Sequence, residues 1–346
     1  MEQLPFRFED ALSARDILRG VARRTPLLPA SDVFSGSDVR LKAENLQLTH
    51  AFKFRGAYNR VSRLGEEERR RGLIAASSGN HALGLSLAGS MLGASVVVVM
   101  PEGAPEVKER GCREYGAVVM RRGETYDDAL EFATAMAQER GYTYVQSFDD
   151  PLVAAGQSTV TWEILEDLPE VDVLVLPIGG GGLVTGALGL LHAAPDTVFS
   201  PRSRPLEDIS VVGVQAEGAA SMLASVSAGR RLALRTISTI ADGIAVRQPG
   251  EMTFGAVQAA VDELVTVSDA EMMEMVGLLA LREKLVVEPA GAAAAAAVLA
   301  GRGDVLSRAI AEGLSVVCVL SGGNLQGDVF CRALVRARNR GREEAT

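Results

Sequence analysis

The chain has 346 residues, of which 47% are hydrophobic and 23% charged, and its formal net charge at pH 7 is −9. This acidic balance and a longest apolar run of only nine residues, 292–300, argue against nucleic acid, an anionic membrane surface or a membrane span. Three separated cysteines, three histidines and an N-terminus without a secretory signal exclude a disulfide framework and a histidine-rich metal site, and predict a cytoplasmic protein.

Short β-branched runs alternate with helical stretches, a pattern typical of α/β folds with a parallel sheet. The predicted strands are almost entirely apolar, as in strands buried on both faces, and lie at 73–76, 95–100, 117–120, 173–177, 210–215 and 315–320. Helices are predicted at 56–64, 80–92, 105–115, 126–140, 153–168, 183–193, 269–284 and 292–300. At ~150 residues per domain the length indicates two domains. The stretches 65–72 and 195–208 are predicted surface loops.

Lysine is scarce, since only four of the 35 basic residues are lysines. Arginine cannot act as an amine nucleophile because its guanidinium stays protonated, so each lysine invites an explanation. Lys53 lies between Phe52 and Phe54, where partial burial lowers the pKa of a lysine and supplies a neutral amine. The alternative is an ordinary lysine that extends its head group to solvent.

Four consecutive glycines, Gly179, Gly180, Gly181 and Gly182, precede Leu183 and follow the predicted strand 173–177. Glycines at a strand-to-helix turn let the backbone approach a ligand, and their N–H groups and the helix dipole suit a phosphate dianion. The spacing fits neither the dinucleotide nor the nucleoside-triphosphate motif. This glycine loop therefore indicates a compact phosphorylated group, with a tight turn as the structural alternative.

A second strand-to-helix turn consists of Ser77, Ser78, Gly79, Asn80 and His81. Small hydroxyls and a helix N-terminus bind a carboxylate well, although an ordinary helix cap has the same composition.

Ser321 follows the last predicted strand, at the carboxyl end where open α/β sheets bind ligands. Pyridoxal phosphate needs a lysine, a phosphate cradle and a partner for its ring nitrogen, and amino-acid substrates need a carboxylate-binding loop. Lys53, the glycine loop, Ser321 and the segment 77–81 match these four needs. The sequence thus predicts a pyridoxal phosphate site for a small amino-acid substrate.

In order and spacing the motifs resemble the fold type II (tryptophan-synthase-β-like) family of pyridoxal phosphate enzymes, and within it threonine dehydratases and serine racemases. The matching segments are 52–57, 78–81, 155–157, 179–183, 240–245, 288–291 and 321–324. The resemblance implies an α/β fold of two open parallel-sheet domains with the cofactor in the cleft between them. The large domain would comprise residues 1–64 and 149–346, the small domain residues 65–148, and the protein would form a homodimer or homotetramer.

By this resemblance Lys53 binds the cofactor covalently, Phe52 packs against its ring, and Asn80 contacts its 3-oxygen. The glycine loop, with Leu183, holds the phosphate. The segment 77–81 holds the substrate carboxylate.

The resemblance also places Ser321 at the pyridine nitrogen, and Gly243 and Glu288 beside the ring and substrate. A hydroxyl cannot hold the pyridinium form as an aspartate would, so the ring is a weaker electron sink. This favours prompt loss of a β-leaving group over transamination.

The resemblance therefore implies dehydration and deamination of a β-hydroxy amino acid, L-threonine or L-serine, with Lys53 as general base. Ser78 keeps serine racemisation open, because the matching serine of serine racemases faces the lysine across the substrate. Phe148 offers an apolar wall that suits a methyl group and favours the dehydratase. Hydroxyaspartate and phenylserine dehydratases are the remaining alternatives.

The divalent-cation site of serine racemases is only half matched, since Glu217 fits but Leu223 stands where a carboxylate is expected. We therefore expect no metal. About 20 residues follow the segment 321–324, too few for an effector-binding domain, so feedback control by isoleucine is not expected.

Overall fold

The structure is a computed structural model that describes residues 5–104, 106–199 and 203–343. Its strands are β1 (Leu27–Pro29), β2 (Val39–Lys42), β3 (Leu73–Ala76), β4 (Val96–Met100), β5 (Val118–Arg121), β6 (Thr143–Tyr144), β7 (Val173–Pro177), β8 (Ser210–Ala216), β9 (Glu263–Val267) and β10 (Val316–Val319). Its helices are α1 (Phe8–Leu18), α2 (Lys53–Ser62), α3 (Glu66–Arg71), α4 (Asn80–Met91), α5 (Glu106–Glu114), α6 (Tyr126–Arg140), α7 (Pro151–Asp167), α8 (Gly182–Ala193), α9 (Ser221–Ser227), α10 (Glu251–Ala260), α11 (Asp269–Leu278), α12 (Pro289–Leu299), α13 (Asp304–Glu312) and α14 (Gly327–Glu343).

The strands form two sheets. The larger has the order β1-β2-β10-β7-β8-β9 and is parallel except for the antiparallel edge pair of β1 and β2. The smaller has the order β5-β4-β3-β6 and is parallel throughout. Central strands such as β4 and β7 are buried along their whole length, as parallel strands covered by helices must be. The predicted α/β class with two parallel sheets is confirmed.

The four strands of the smaller sheet lie between residues 73 and 144, inside the range predicted for the small domain. The domain boundaries themselves stay a prediction. No helix in the described ranges is both long and apolar enough to cross a bilayer.

Each predicted strand agrees with the structure to within one residue, but one expectation was wrong. The stretch 65–72 is not a loop, because residues 66–71 form α3, with glutamates in the first turn and arginines in the last, as the helix dipole favours. The predicted helix 269–284 is confirmed to within one residue: α11 continues as π-helical backbone at residues 279–283, and the helix is capped by Lys284, which has a left-handed φ of 61°. In the predicted loop 195–208, short 3-10 turns occupy 196–199 and 206–208, and residues 200–202 lie outside the described residues, as does Pro105 of the predicted helix 105–115.

Helix α2, which begins at Lys53, is fixed by close packing against α4 and α7. A Cβ added to Gly156 of α7 would lie 2.6 Å from Cα of Gly56, and one added to Gly84 of α4 would lie 2.9 Å from the backbone nitrogen of Phe54. Such contacts leave no room for side chains between the backbones. The start of α2 is therefore held firmly in the centre of the molecule.

Buried ion pairs reinforce this position. Arg55, which is 1% exposed, donates to both carboxylate oxygens of Glu44 at 2.7 and 2.8 Å and to both of Glu163 at 2.7 and 2.9 Å. Lys42 donates to Glu163 as well, at 2.6 Å. These contacts join α2 to β2 and α7, directly behind Lys53.

Candidate active site

A cavity of about 900 Å³ opens at the carboxyl ends of β3, β7 and β10. Every residue predicted for the site lines it: Phe52, Lys53, Ser77, Ser78, Gly79, Asn80, His81, Phe148, Gly179, Gly180, Gly181, Gly182, Leu183, Gly243, Glu288 and Ser321. The structure thus brings together segments that are up to about 270 residues apart in the chain.

Lys53 extends its amine into this cavity. Its Nζ donates a hydrogen bond to the carbonyl oxygen of Ser147 at 2.7 Å and lies 5.2 Å from the ring centre of Phe52 and 6.0 Å from that of Phe148. Loss of solvent around the ammonium lowers the pKa of Lys53 to about 8. At pH 7.5 about a quarter of such amines are neutral, against about one in a thousand for an unperturbed lysine.

The lysine is joined to Ser321 by main-chain contacts. Ala51 forms an antiparallel bridge with Gly322, and the Phe52 N–H donates to the Ser321 carbonyl at 3.1 Å. Ser321 is 4% exposed. These main-chain contacts hold together the two segments that carry the amine and the hydroxyl, so both groups line the same cavity.

The glycine loop leads from β7 into α8. Gly181 has a φ of 100°, and a Cβ on Gly180 would lie 2.4 Å from the ring of Phe148, so both positions require glycine. The hydroxyl of Thr253 donates to the Gly180 carbonyl at 2.6 Å and holds the loop in place. The first N–H groups of α8 have no acceptor within the helix, and they face a cavity that contains an amine. This cradle fits a phosphate dianion.

The turn 77–81 places the N-terminus of α4 on the same cavity. The Gly79 N–H donates to the Ser77 hydroxyl at 3.3 Å, and a Cβ on Gly79 would meet nothing within 4 Å, so ligand space adjoins the backbone here. His81 is buried, and its Nε2 donates to the Val145 carbonyl at 3.1 Å. Burial and the charge of Lys53 lower the pKa of His81 to about 3, so the ring is neutral at physiological pH. A carboxylate at this turn would therefore meet N–H groups and hydroxyls rather than an imidazolium.

Asn80 belongs to a buried polar chain. Its Nδ2 donates to Oε1 of Glu288 at 2.5 Å, and its Oδ1 accepts from Nδ2 of Asn324 at 2.9 Å. Burial raises the pKa of Glu288 to about 7, and its Oε2 has no hydrogen-bond partner among the described residues. An unpartnered carboxyl oxygen beside the cavity fits a polar ligand ring at this position.

Several lining residues were not predicted. The carbonyl of Ser147 carries no side-chain signature, and Arg247, Asp127 and Arg235 resemble ordinary surface charges in the sequence. In the structure Nη1 of Arg247 donates to Asp127 at 2.6 Å at the mouth of the cavity. Only the folded chain reveals this ion pair.

Glu217 is the residue that matches the divalent-cation site of serine racemases, and in this structure it faces the guanidinium of Arg302. Nη2 of Arg302 lies 3.9 Å from Glu217 and 2.5 Å from Glu271. Among the described residues, no group of three or more His, Cys, Asp and Glu side chains is arranged to hold a metal ion.

Known proteins are similar to this chain over most of its length. The sequence profile of the family described as "Pyridoxal-phosphate dependent enzyme" matches residues 18–322. An L-threonine ammonia-lyase of Thermotoga maritima is 40% identical over 94% of this chain and 77% of its own length. The structure of the processed threonine deaminase isoform 2 of Solanum lycopersicum is 31% identical with a TM-score of 0.85, covering 96% of this chain and 87% of that one. Maize serine racemase is 26% identical, also with a TM-score of 0.85, covering 97% and 99%.

Proposed function

Because the chain belongs to the family of pyridoxal-phosphate dependent enzymes, we propose that it is an ammonia-lyase acting on L-threonine and also on L-serine. Threonine would yield 2-oxobutanoate and ammonia, since the β-hydroxyl leaves as water and one water returns in hydrolysis, so the atoms balance. The relatives named L-threonine ammonia-lyase and threonine deaminase support this substrate class.

One observation carries the proposal. The amine of Lys53, with its pKa lowered to about 8, shares a single cavity with the glycine loop, Ser321 and the turn 77–81. These are the four elements that an enzyme of this cofactor needs for amino-acid substrates.

The residues divide the work as follows. Lys53 would hold pyridoxal phosphate through its amine until the amino group of a substrate replaces it, and the cofactor would then supply electron withdrawal that makes the α-proton of that substrate acidic. Nζ of Lys53, once free, is the base that takes this proton, because it lies inside the cavity and has a pKa near the working pH. The glycine loop would hold the phosphate, and Ser321 would meet the ring nitrogen without adding a negative charge.

The substrate would be oriented by the two ends of the cavity. The N–H groups and hydroxyls of the turn 77–81 would hold its carboxylate. Phe148, packed against Gly180 and Gly182, presents an apolar surface near Lys53 that suits the methyl group of threonine.

The test compares purified wild type with K53A and with K284R as a control at an exposed lysine. Wild type and K284R should release 2-oxobutanoate and ammonia from L-threonine and show the visible absorbance of lysine-bound cofactor. K53A should lose both signals. Full activity in K53A, or a cofactor-loaded wild type that forms no 2-oxo acid from threonine or serine, would refute the proposal.

A second candidate activity is serine racemisation, because Ser78 lines the same cavity as Lys53 and maize serine racemase shares the fold. Incubation with L-serine should then yield D-serine beside pyruvate, and S78A should abolish D-serine while pyruvate formation persists. Parallel assays with phenylserine and hydroxyaspartate would decide whether a bulkier or an acidic β-hydroxy amino acid is preferred.

We further propose that the protein works in the cytoplasm as a homodimer or homotetramer, with residues 65–148 as its small domain. Its three cysteines are free, which suits a reducing compartment. Light scattering of the purified protein would decide between the two assemblies.

A further inference from the structure

Lys108 is buried, yet the chemistry above gives it no role. It lies on α5, beside the smaller sheet, and is 5% exposed. Its Nζ donates to Oδ2 of Asp242, which belongs to the turn 242–244 on the cavity wall, after β8 of the larger sheet. The pair therefore links the structural elements of the two sheets beside the cavity.

The turn that Lys108 contacts is packed against Glu288. A Cβ added to Gly243, the residue after Asp242, would lie 3.0 Å from Cβ of Ala290 and 3.4 Å from Oε1 of Glu288. Glu288 is 1% exposed. A displacement of Asp242 would thus move the wall that encloses the Glu288 carboxyl.

The two members of the ion pair act on Glu288 in opposite directions. The positive charge of Lys108 lowers the pKa of Glu288, whereas the negative charge of Asp242 raises it. Burial is the largest influence and raises it, while the side chain of Asn80 and the backbone N–H of Asn324 lower it. These are the largest influences on the pKa of this carboxyl, and Lys53, His81 and Ser321 line the same cavity.

We propose that Lys108 is a positioning residue that, through its ion pair with Asp242, holds the turn 242–244 against Glu288 and balances the charge beside the cofactor ring. This rests on the proposed function only in that Glu288 borders the bound ring. Lys108 itself touches neither cofactor nor substrate.

The experiment is a pH titration of the visible absorbance of the holoenzyme without substrate. The wild type should show a midpoint near pH 7 that E288Q lacks, which assigns it to Glu288. K108M leaves Asp242 unbalanced and should raise the midpoint by about one unit or more, whereas D242N leaves Lys108 unbalanced and should lower it. K108R, which keeps the charge, should restore the wild-type midpoint.

Opposite shifts separate this role from a structural one. An ion pair that only holds the turn in place, without balancing charge, would give K108M and D242N the same effect, since either change breaks the same contact. R113M, on the exposed face of α5, is the control and should leave the midpoint unchanged. Because no substrate is used, the titration is independent of whether threonine is turned over.

The proposal is overturned if K108M and D242N shift the midpoint in the same direction, or if E288Q keeps it. Should K108M fail to retain the cofactor, the other two variants decide. A lowered midpoint in D242N with a wild-type midpoint in K108R supports the proposal, and any other pair of results refutes it.

Discussion

Replacing Gly180 by alanine tests how closely the glycine loop is packed. The added Cβ would lie 2.4 Å from Cδ1 of Phe148, whereas nonbonded carbons settle at about 3.5–4.0 Å. The loop and the ring must therefore separate by about 1 Å, and overpacking of this kind costs about 1–3 kcal/mol. The loop can relieve the clash by leaving the position in which its N–H groups meet a phosphate. We expect the dissociation constant of pyridoxal phosphate to rise about 5- to 150-fold in G180A.

The assay is a titration of apoenzyme with pyridoxal phosphate, followed by absorbance. G255A is the matched control, because its Cβ meets nothing within 4 Å and it lies on α10, the helix whose Thr253 holds the loop. Its cofactor affinity should not change, and its stability should rise by about 0.5–1 kcal/mol. Adding F148A to G180A removes the clashing ring and should recover most of the lost affinity. Wild-type affinity in G180A, or a double variant as weak as G180A, would refute the reasoning.

Three further predictions concern protonation, cations and stability. Only the neutral amine of Lys53 attacks the cofactor aldehyde, and burial lowers the pKa of this amine to about 8. The rate at which apoenzyme rebinds pyridoxal phosphate should therefore rise about tenfold per pH unit below pH 8 and level off above it. A rate that does not depend on pH would contradict the lowered pKa. Arg302 supplies a positive charge beside Glu217, where a divalent cation would otherwise bind. EDTA should therefore leave the activity unchanged, and Mg²⁺ should not raise it. Activity that is lost on chelation and restored by Mg²⁺ would contradict this prediction. R55M leaves the buried carboxylate of Glu44 without its ion-pair partner, while Glu163 keeps Lys42, and should lower the free energy of unfolding in urea by about 3–5 kcal/mol. R70M, in an exposed pair, should lower it by less than about 0.5 kcal/mol. Equal effects of the two variants would contradict the importance of burial.

The central strands could be predicted because burial on both faces demands unbroken apolar runs, as in β4 and β7. Three of the four strands that were missed, β1, β6 and β9, are edge strands. An edge strand packs less completely, so residues such as Glu263 interrupt its apolar pattern. The sequence signal of an edge is weak for this physical reason.

In the site, residues whose chemistry restricts them to one type could be predicted. Only lysine supplies an amine at position 53, and only glycine tolerates the φ of 100° at position 181. The carbonyl of Ser147 and the pairing of Lys108 with Asp242 could not be predicted. A backbone acceptor leaves no mark on residue type, and an ion pair between residues 134 positions apart depends on the folded topology.

The bridge between Ala51 and Gly322 limits which parts of the site can move when a substrate binds. Main-chain contacts join the segment that carries Lys53 to the segment that carries Ser321, so neither segment of the cofactor site can move without the other. A substrate would then enter, and its product leave, when the turn 77–81 moves. This turn lies across the cavity and follows β3 of the smaller sheet. The cofactor would keep its position while the turn 77–81 moves.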